Sequence, residues 1–544
     1  MRSSIRSGLN EELTLDHEVL DIADRVQLLL DDNLLGQPLG ANLRRVLHTA
    51  AKHPDNPLIR ADRPYESPFG PQLYGTVLPD GPGGELRMWY QSRRGAYLTL
   101  ATSPDGVHWD KPELGLCEYE GSRANNIIVD ATAVPQVHMK VNNPSVVLDP
   151  SDPDPQRRYK MFYYDRYPAG SRPGNCPKAG LFLATSPDGL DWRFPSDRAV
   201  MHQLGDVPDV VWDPIDKLFV SHNKLNHWSG DEVNESGRRT GRRIDAFVMP
   251  RGWRYGNGGP TELFGPSRLL GEQGWLERRI LLDGNSARMK RAVGRAESRD
   301  GVDWSDQEPI FWADRDGDPP DLQYHGMPAW RVGDVWIGLL QVMREVAGSG
   351  NNTPTHLPTA MELAWSRDDH TWHRFAPGQP ILPLGHEGMW DAGRIDGATH
   401  PVALEDQEYY LYAACPLWCL DKRWRHENTL HYQMGLASWR REGYVSIRSD
   451  GAAELLTRVV RWHPGIFFLN VDASSGSVRV ELIDPNANAS PPLASSRVLR
   501  TNETRAEVQW EVREQLFALI GRPVRIRFLL QNADLYSFGF EPGR

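Results

Sequence analysis

Short runs that alternate apolar and polar residues recur along the chain, each bounded by Gly, Pro, Asn or Asp. A period of two places alternate side chains on opposite faces of a strand, so these runs predict strands rather than helices. They come in groups of three. Residues 74–78, 86–90 and 96–101 form the first group, and 145–148, 159–164 and 180–184 the second. The third is 210–212, 218–221 and 291–296; the fourth is 327–331, 335–341 and 361–365; the fifth is 399–404, 409–413 and 433–437. In the third group, residues 225–290 interrupt the pattern with a polar, Gly- and Arg-rich stretch, expected to be a surface excursion.

Each group ends in one motif. It reads Ser103-Pro104-Asp105-Gly106-Val107-His108-Trp109, then Ser186-Pro187-Asp188-Gly189-Leu190-Asp191-Trp192, then Ser298-Arg299-Asp300-Gly301-Val302-Asp303-Trp304. Ser366-Arg367-Asp368-Asp369-His370-Thr371-Trp372 is a degenerate copy, and 437–444 around Trp439 a more eroded one. Asp-Gly supplies a side-chain acceptor and a residue tolerant of positive φ, which a tight turn needs. The Trp then packs on the sheet face. The motif is architectural and does no chemistry. Five units of three strands, with a fourth after each turn, predict an all-β chain: a five-bladed β-propeller over residues 56–447. A leading segment, 1–55, carries an apolar helix candidate at 17–29. After 448 the strands change spacing: 461–472, 476–484, 505–510, 524–528 and 535–540 predict a C-terminal β-sandwich over 448–544, with 511–520 a short helix or loop.

Composition narrows the function. The 61 Lys and Arg against 72 Asp and Glu give a net charge of −11, which disfavours nucleic acid as a partner. No 18-residue apolar run or signal-peptide pattern appears, so a cytoplasmic protein without a membrane partner is expected. Four cysteines at irregular spacing make neither a disulfide framework nor a zinc site, and Trp462 and Trp510 are expected in the sandwich core. The Asp314, Asp316, Asp318 run lacks the downstream Glu of a calcium loop, so no metal or cofactor is expected.

In a propeller the first strand of each blade lines the channel. The segments opening the blades carry Tyr65 and Glu66; Lys140 and Asn143; Asp206 and Asp209; Asp321, Gln323, Tyr324 and His325; and Glu387, Trp390, Asp391 and Arg394. Lys224 ends a second strand, and His400 lies within the first strand of blade five. Acids beside aromatic rings suit a sugar: glycosidic cleavage needs one protonated carboxyl and one ionised, and crowding splits their pKa values. Glu66, Asp209, Asp321, Asp391 and Glu387 are the catalytic candidates. Tyr65, Asn143, Asp206, Lys224, Gln323, Tyr324, His325, Trp390 and His400 are the substrate-binding candidates.

With its five blades, its Ser-x-Asp-Gly-x-x-Trp turns and Asn56-Pro57-Leu58-Ile59 ahead of blade one, the chain resembles the five-bladed furanosidase superfamily over residues 56–447. That superfamily includes glycoside hydrolase families 32, 43, 68 and 117, and the family 32 N-terminal region is the nearest in look. The resemblance implies a nucleophile or base at Glu66 and an acid at Asp209 or Asp206. Blade two offers Asn143 where the superfamily has an auxiliary Asp. The expected function is a glycoside hydrolase acting on small oligosaccharides or furanosides. A glycoside phosphorylase or transglycosylase, drawing on Arg93, Lys140 and Arg394, and a non-catalytic carbohydrate-binding propeller are the alternatives. A carbohydrate is the expected partner, and homo-oligomerisation stays open.

Overall fold

The computed structural model describes residues 19–541 apart from 23–24, 82, 169–178, 203–204, 249–260, 264–265, 270–275, 278–279, 284–287, 314–317, 320–321, 345–357, 421–430 and 487–490. The chain divides into two units, Met1–Val46 with Val445–Arg544, and Leu47–Tyr444. The sequence had separated the leading segment from the C-terminal domain. In the structure its part up to Val46 groups with that domain, because Gln27–Leu28 pairs with Asp534–Glu541 and Leu43–Leu47 lies beside Val445–Ser449 in the same sheet, whereas Ala51–Lys52 pairs in the other unit. The helix expected at 17–29 does not form over its described residues: Gln27–Leu28 is a strand there.

In the first unit, two sheets share one apolar core. One runs Leu43–Leu47, Val445–Ser449, Asp534–Glu541, Ile466–Asp472, Asn502–Glu507; the other centres on Pro523–Gln531 between Ala452–Leu456 and Ser477–Ile483. Alternation decides what is buried: Val478, Val480 and Leu482 point inward from one strand and Val524, Ile526, Phe528 and Leu530 from the next. Trp462, 3% exposed, sits in this core edge-on to Trp510. Glu514–Phe517 is a single short helical turn.

The described residues of the second unit are nearly all-β and repeat a four-strand antiparallel pattern. Gln72–Pro79, Leu86–Ser92, Tyr97–Ser103 and Ile127–Asp130 make one sheet, and Asn142–Leu148, Tyr159–Arg166, Ala179–Ser186 and Met201–His202 the next. Pro208–Asp213, Leu218–Val233, Arg288–Ser298 and Glu308–Phe311 follow. The fourth repeat is Ala329–Val332, Val335–Arg344, Thr359–Ser366 and Trp372–Arg374. The fifth opens with Arg394–Gly397 and Val402–Leu404 on Gln407–Cys415, continues to Gln433–Arg440, and ends with Ala51–Lys52 from the start of the unit. The stretch after residue 225, expected as a surface excursion, is exposed over 234–243 and takes the form of an extension of the third sheet: Leu218–Val233 runs on as a long strand and pairs with Arg239–Val248.

The turn motif explains why the repeats look alike. Ser103 Oγ accepts from Gly106 N at 2.8 Å, Asp105 Oδ1 accepts from Val107 N and His108 N, and Trp109 Nε1 donates to Gly106 O at 2.9 Å. The same bonds recur at Ser186 and at Ser298. The turn residue has φ near +78° as Gly106, Gly189 and Gly301, and Asp369 holds that place in the fourth copy at φ +61°.

The opening strands of successive repeats meet. Val146 N donates to Thr76 Oγ1 at 2.9 Å; Ser145 Oγ donates to Pro208 O at 3.0 Å; Thr399 N donates to Gly75 O at 2.9 Å, linking the fifth repeat to the first. Toward the far ends of these strands lies a largely apolar cavity of about 280 Å³ whose lining includes Leu78, Leu148, Trp212, Trp330 and His400, one from each repeat.

Candidate functional site

At the starts of the opening strands, polar side chains converge. Asp209, in Pro208–Asp213, is 2% exposed and its Oδ2 has no hydrogen-bond partner among the described residues. Burial pushes its carboxyl up to about 8, and the Asp396 charge adds to the effect. Asp209 therefore holds a proton at neutral pH. Asp396, fully buried in the fifth repeat, is clamped: Arg394 Nε donates to its two oxygens at 2.9 and 2.8 Å, and Tyr432 OH donates to Oδ2 at 3.0 Å. Arg394 also donates to Tyr74 OH of the first repeat. Burial raises Tyr74 and Tyr432 well above the ordinary phenol, so both stay protonated donors.

Beside this acid pair sits a cationic group. Lys224 Nζ pairs with Asp206. The Asp206 carbonyl accepts from Asn143 Nδ2, and Asn143 exchanges bonds with Gln91 at 2.8 and 3.1 Å. Burial works against the Asp206 charge, yet Lys224, Arg166 and Lys140 together hold it well below the usual carboxylate range. Burial lowers Lys224 to about 8, with Arg291 and Arg394 pressing the same way and Asp206 opposing. Arg291 Nη1 donates to Gln323 Oε1 at 3.0 Å, which ties the third repeat to the fourth.

Other buried polar atoms here also lack partners among the described residues: both amide atoms of Gln341 and the Tyr410 hydroxyl. Tyr410 feels the charges of Asp209 and Asp396, and Gln341 lies beneath Gly326, where an added Cβ would meet its Oε1 at 2.9 Å and Val207 at 3.1 Å. Each such atom costs about 1–3 kcal/mol unless something bonds to it. A hydroxyl-rich ligand or water would satisfy them.

The structure thus brings together Asn143, Asp206, Asp209, Lys224 and Gln323, with His325 beside Gln341 through its backbone N–H. The other described candidates have different partners. Glu66 is fully buried and accepts from Tyr90 OH at 2.8 Å, from Lys111 Nζ, and from the Asp62 and Arg63 amides. Tyr65 OH bonds Asn126. Both are thus held within the first repeat, Glu66 on its second strand through Tyr90 and Tyr65 beside its fourth through Asn126. Asp391 pairs with Lys52 Nζ at 2.5 Å and anchors the strand Ala51–Lys52, while Trp390 stacks on Tyr412 at 5.5 Å. Glu387 is exposed. Tyr324 points into the apolar core, its hydroxyl on Asp318. His400 lines the apolar cavity at the other ends of the opening strands. Asp321, like Asp314 and Asp316, lies outside the described residues.

Asp396, Tyr74, Tyr432, Arg291, Gln341 and Tyr410 were not singled out from sequence. The expected start of the fifth opening strand, at Thr399, left Asp396 ahead of it; the strand begins at Arg394. The alternation Arg394, Ile395, Asp396 is the signal that marks it, two polar residues on one face across an apolar one.

No protein-family model matches the chain, and no curated protein does. Solved structures are similar at low identity. An N-acetylgalactosamine deacetylase from F. plautii in complex with blood group B trisaccharide is 14% identical, with a TM-score of 0.37 over 77% of this chain and 95% of that one. A thermostable family-43 glycoside hydrolase is 10% identical, TM-score 0.36, over 69% and 88%. A structure from the GH130 family of mannoside phosphorylases, which contains glycoside hydrolases that target beta-1,2 mannosidic linkages in Candida mannan, is 14% identical, TM-score 0.36, over 72% and 94%.

Proposed function

We propose that this chain is a carbohydrate-active enzyme that cleaves a glycosidic bond, with Asp209 as the proton donor, at the strand-start end of a five-bladed β-propeller. The architecture is supported by five four-strand repeats and by the bonds between opening strands, including the bond from Thr399 back to Gly75. The cavity lined from all five repeats adds to this.

Asp209 carries the functional reading. A leaving-group oxygen needs a proton at the moment the bond breaks, so the donor must keep its proton at working pH. Asp209 meets that condition through burial beside Asp396, and its free Oδ2 has no competing partner among the described residues. Asp396, fixed by Arg394 and Tyr432, supplies a negative field that favours the positive charge developing at the sugar's anomeric carbon. Gln341 and Tyr410 offer hydrogen bonds to sugar hydroxyls.

The test is a panel of aryl furanosides and pyranosides, assayed with the wild-type chain and with Asp209→Asn. Turnover that falls by about 10²–10⁴ in the variant supports the reading. Turnover unchanged by the substitution, or absent with every substrate, sinks it.

A further inference from the structure

Among the described residues Trp418 is the one tryptophan that stands exposed, at 48%. The turn that carries it is fixed. Leu417–Leu420 makes a single 3-10 turn, closed by Cys419 N donating to Pro416 O at 3.1 Å. Cys419 and Leu420 are buried, which turns Leu417 and Trp418 outward. His431 lies against the indole, with ring centres 5.2 Å apart. The neighbouring loop adds Met389, 50% exposed, and returns to this turn where Gly393 N donates to Cys415 O at 2.9 Å. Three exposed large apolar side chains thus share two adjoining loops, which isolated surface residues would not do.

Two links place these loops at the strand-start end. Cys415 pairs with Arg394, the first residue of the fifth opening strand. His431 precedes Tyr432, whose hydroxyl donates to Asp396 at 3.0 Å and whose backbone N–H donates to Phe69 O at 2.9 Å. Consecutive Cα atoms lie 3.8 Å apart, so the path from Asp396 through Tyr432 and His431 puts the indole no further than roughly 20 Å from Asp396. That span is the reach of a short oligosaccharide.

We infer that Trp418 is the platform of a distal sugar subsite. There the C–H face of a ring some units away from the cleaved bond stacks on the indole, and the ring's hydroxyls stay toward water and the His431 imidazole. An indole suits this because it is broad, flat and apolar on its faces. The chain thereby favours oligosaccharides over monosaccharide conjugates. The inference rests on the reading of Asp209 and Asp396 as the reaction site and names the substrate by its length.

A glycan array of neutral mono- to hexasaccharides tests it, probed with the full chain carrying Asp209→Asn and with the same chain carrying Trp418→Ala as well. Binding by the first chain is expected to strengthen with length. Trp418→Ala then weakens the longer members about tenfold or more, and Trp418→Tyr, which keeps a flat ring, restores most of the loss. The ratio of long to short affinity is the readout, since a merely structural role would weaken all lengths alike. Binding that ignores length, equal binding by the two chains, or no binding at all overturns the subsite. So does a dimer in sedimentation that Trp418→Ala splits, because the indole then belongs to an interface with a second copy. The array reads the distal contact whether or not Asp209 is the proton donor, and the aryl glycoside assay judges that role by itself.

Discussion

Trp89 donates its indole N–H to the Gly189 carbonyl at 2.8 Å, binding the second strand of the first repeat to the turn of the second. The relation recurs around the unit. Phe162 of the second repeat lies against Gly301 of the third, and Tyr409 of the fifth against Gly106 of the first. Between the third and fourth repeats a different pair does the work: His222 Nε2 stands 2.7 Å from Asp369 Oδ1. Each turn glycine thus serves twice, by its positive φ and by leaving room for a neighbour's ring.

That double role separates two alanine substitutions. Gly115 has φ +70° and open space around it, so Gly115→Ala meets backbone strain alone, about 1–2 kcal/mol. Gly189→Ala meets the same strain and also sets a methyl 2.8 Å from the Trp89 ring, so it loses a further 1–3 kcal/mol or so. Urea unfolding of the two variants reads the difference; equal losses would show that the ring contact is slack.

Asp369 departs from the glycine of the other turns and gains a buried ion pair, with Arg295 Nε at 2.6 Å from Oδ2. Restoring the motif by Asp369→Gly keeps the φ but leaves Arg295 and His222 facing an empty place. The expected loss is about 3–5 kcal/mol. A melting temperature at or above wild type for this variant would contradict the ion-pair account.

Asp209 links activity and stability to pH. With its folded value about 8, kcat/KM falls as pH rises through that value. The folded chain binds this proton more tightly than the unfolded chain, whose carboxyl titrates near 4, so Asp209 costs stability progressively between about pH 4 and pH 8 and not further above. Asp209→Asn removes that slope along with the activity. Melting curves at pH 5 and pH 8 test it: a wild-type difference that persists in the variant belongs to other groups.

Glu66 holds Lys111 and the Asp62 and Arg63 amides. Glu66→Gln removes one of the two ion pairs of Lys111, whose side chain is 7% exposed and keeps Asp62 as its other partner. A loss of about 1–3 kcal/mol is expected, with turnover per folded molecule retained. The reverse pattern, full stability and no turnover, would return Glu66 to the nucleophile's role.

The strands and turns were legible because alternation and the Ser-x-Asp-Gly-x-x-Trp motif are local. Asp209 stood out as a candidate because it lies at a strand start flanked by turn residues. What stayed hidden was contact over long separations. Nothing near Gln27 announces its pairing with Phe538, and nothing near Asp391 announces Lys52. Carboxyls at predicted strand starts looked alike in sequence; burial then sorted them. Asp209 lacks a partner for one oxygen, whereas Glu66 and Asp391 are tied to lysines. That the polar stretch after residue 225 forms a strand ribbon was hidden for a further reason: backbone pairing between Leu218–Val233 and Arg239–Val248 needs no apolar side chains.

The pairing of Ala51–Lys52 with Gln433–Arg440 also sets a timetable. A ribosome releases the first partner almost four hundred residues before the second, so Ala51 and Lys52 wait through the synthesis of every sheet between them. Until Arg440 emerges, the fifth sheet has an open edge and Asp391 has no lysine. Any nascent chain halted short of that point presents a bare strand to its neighbours, which makes Gln433–Arg440, at the very end of the unit, the strand whose arrival ends its exposure to aggregation.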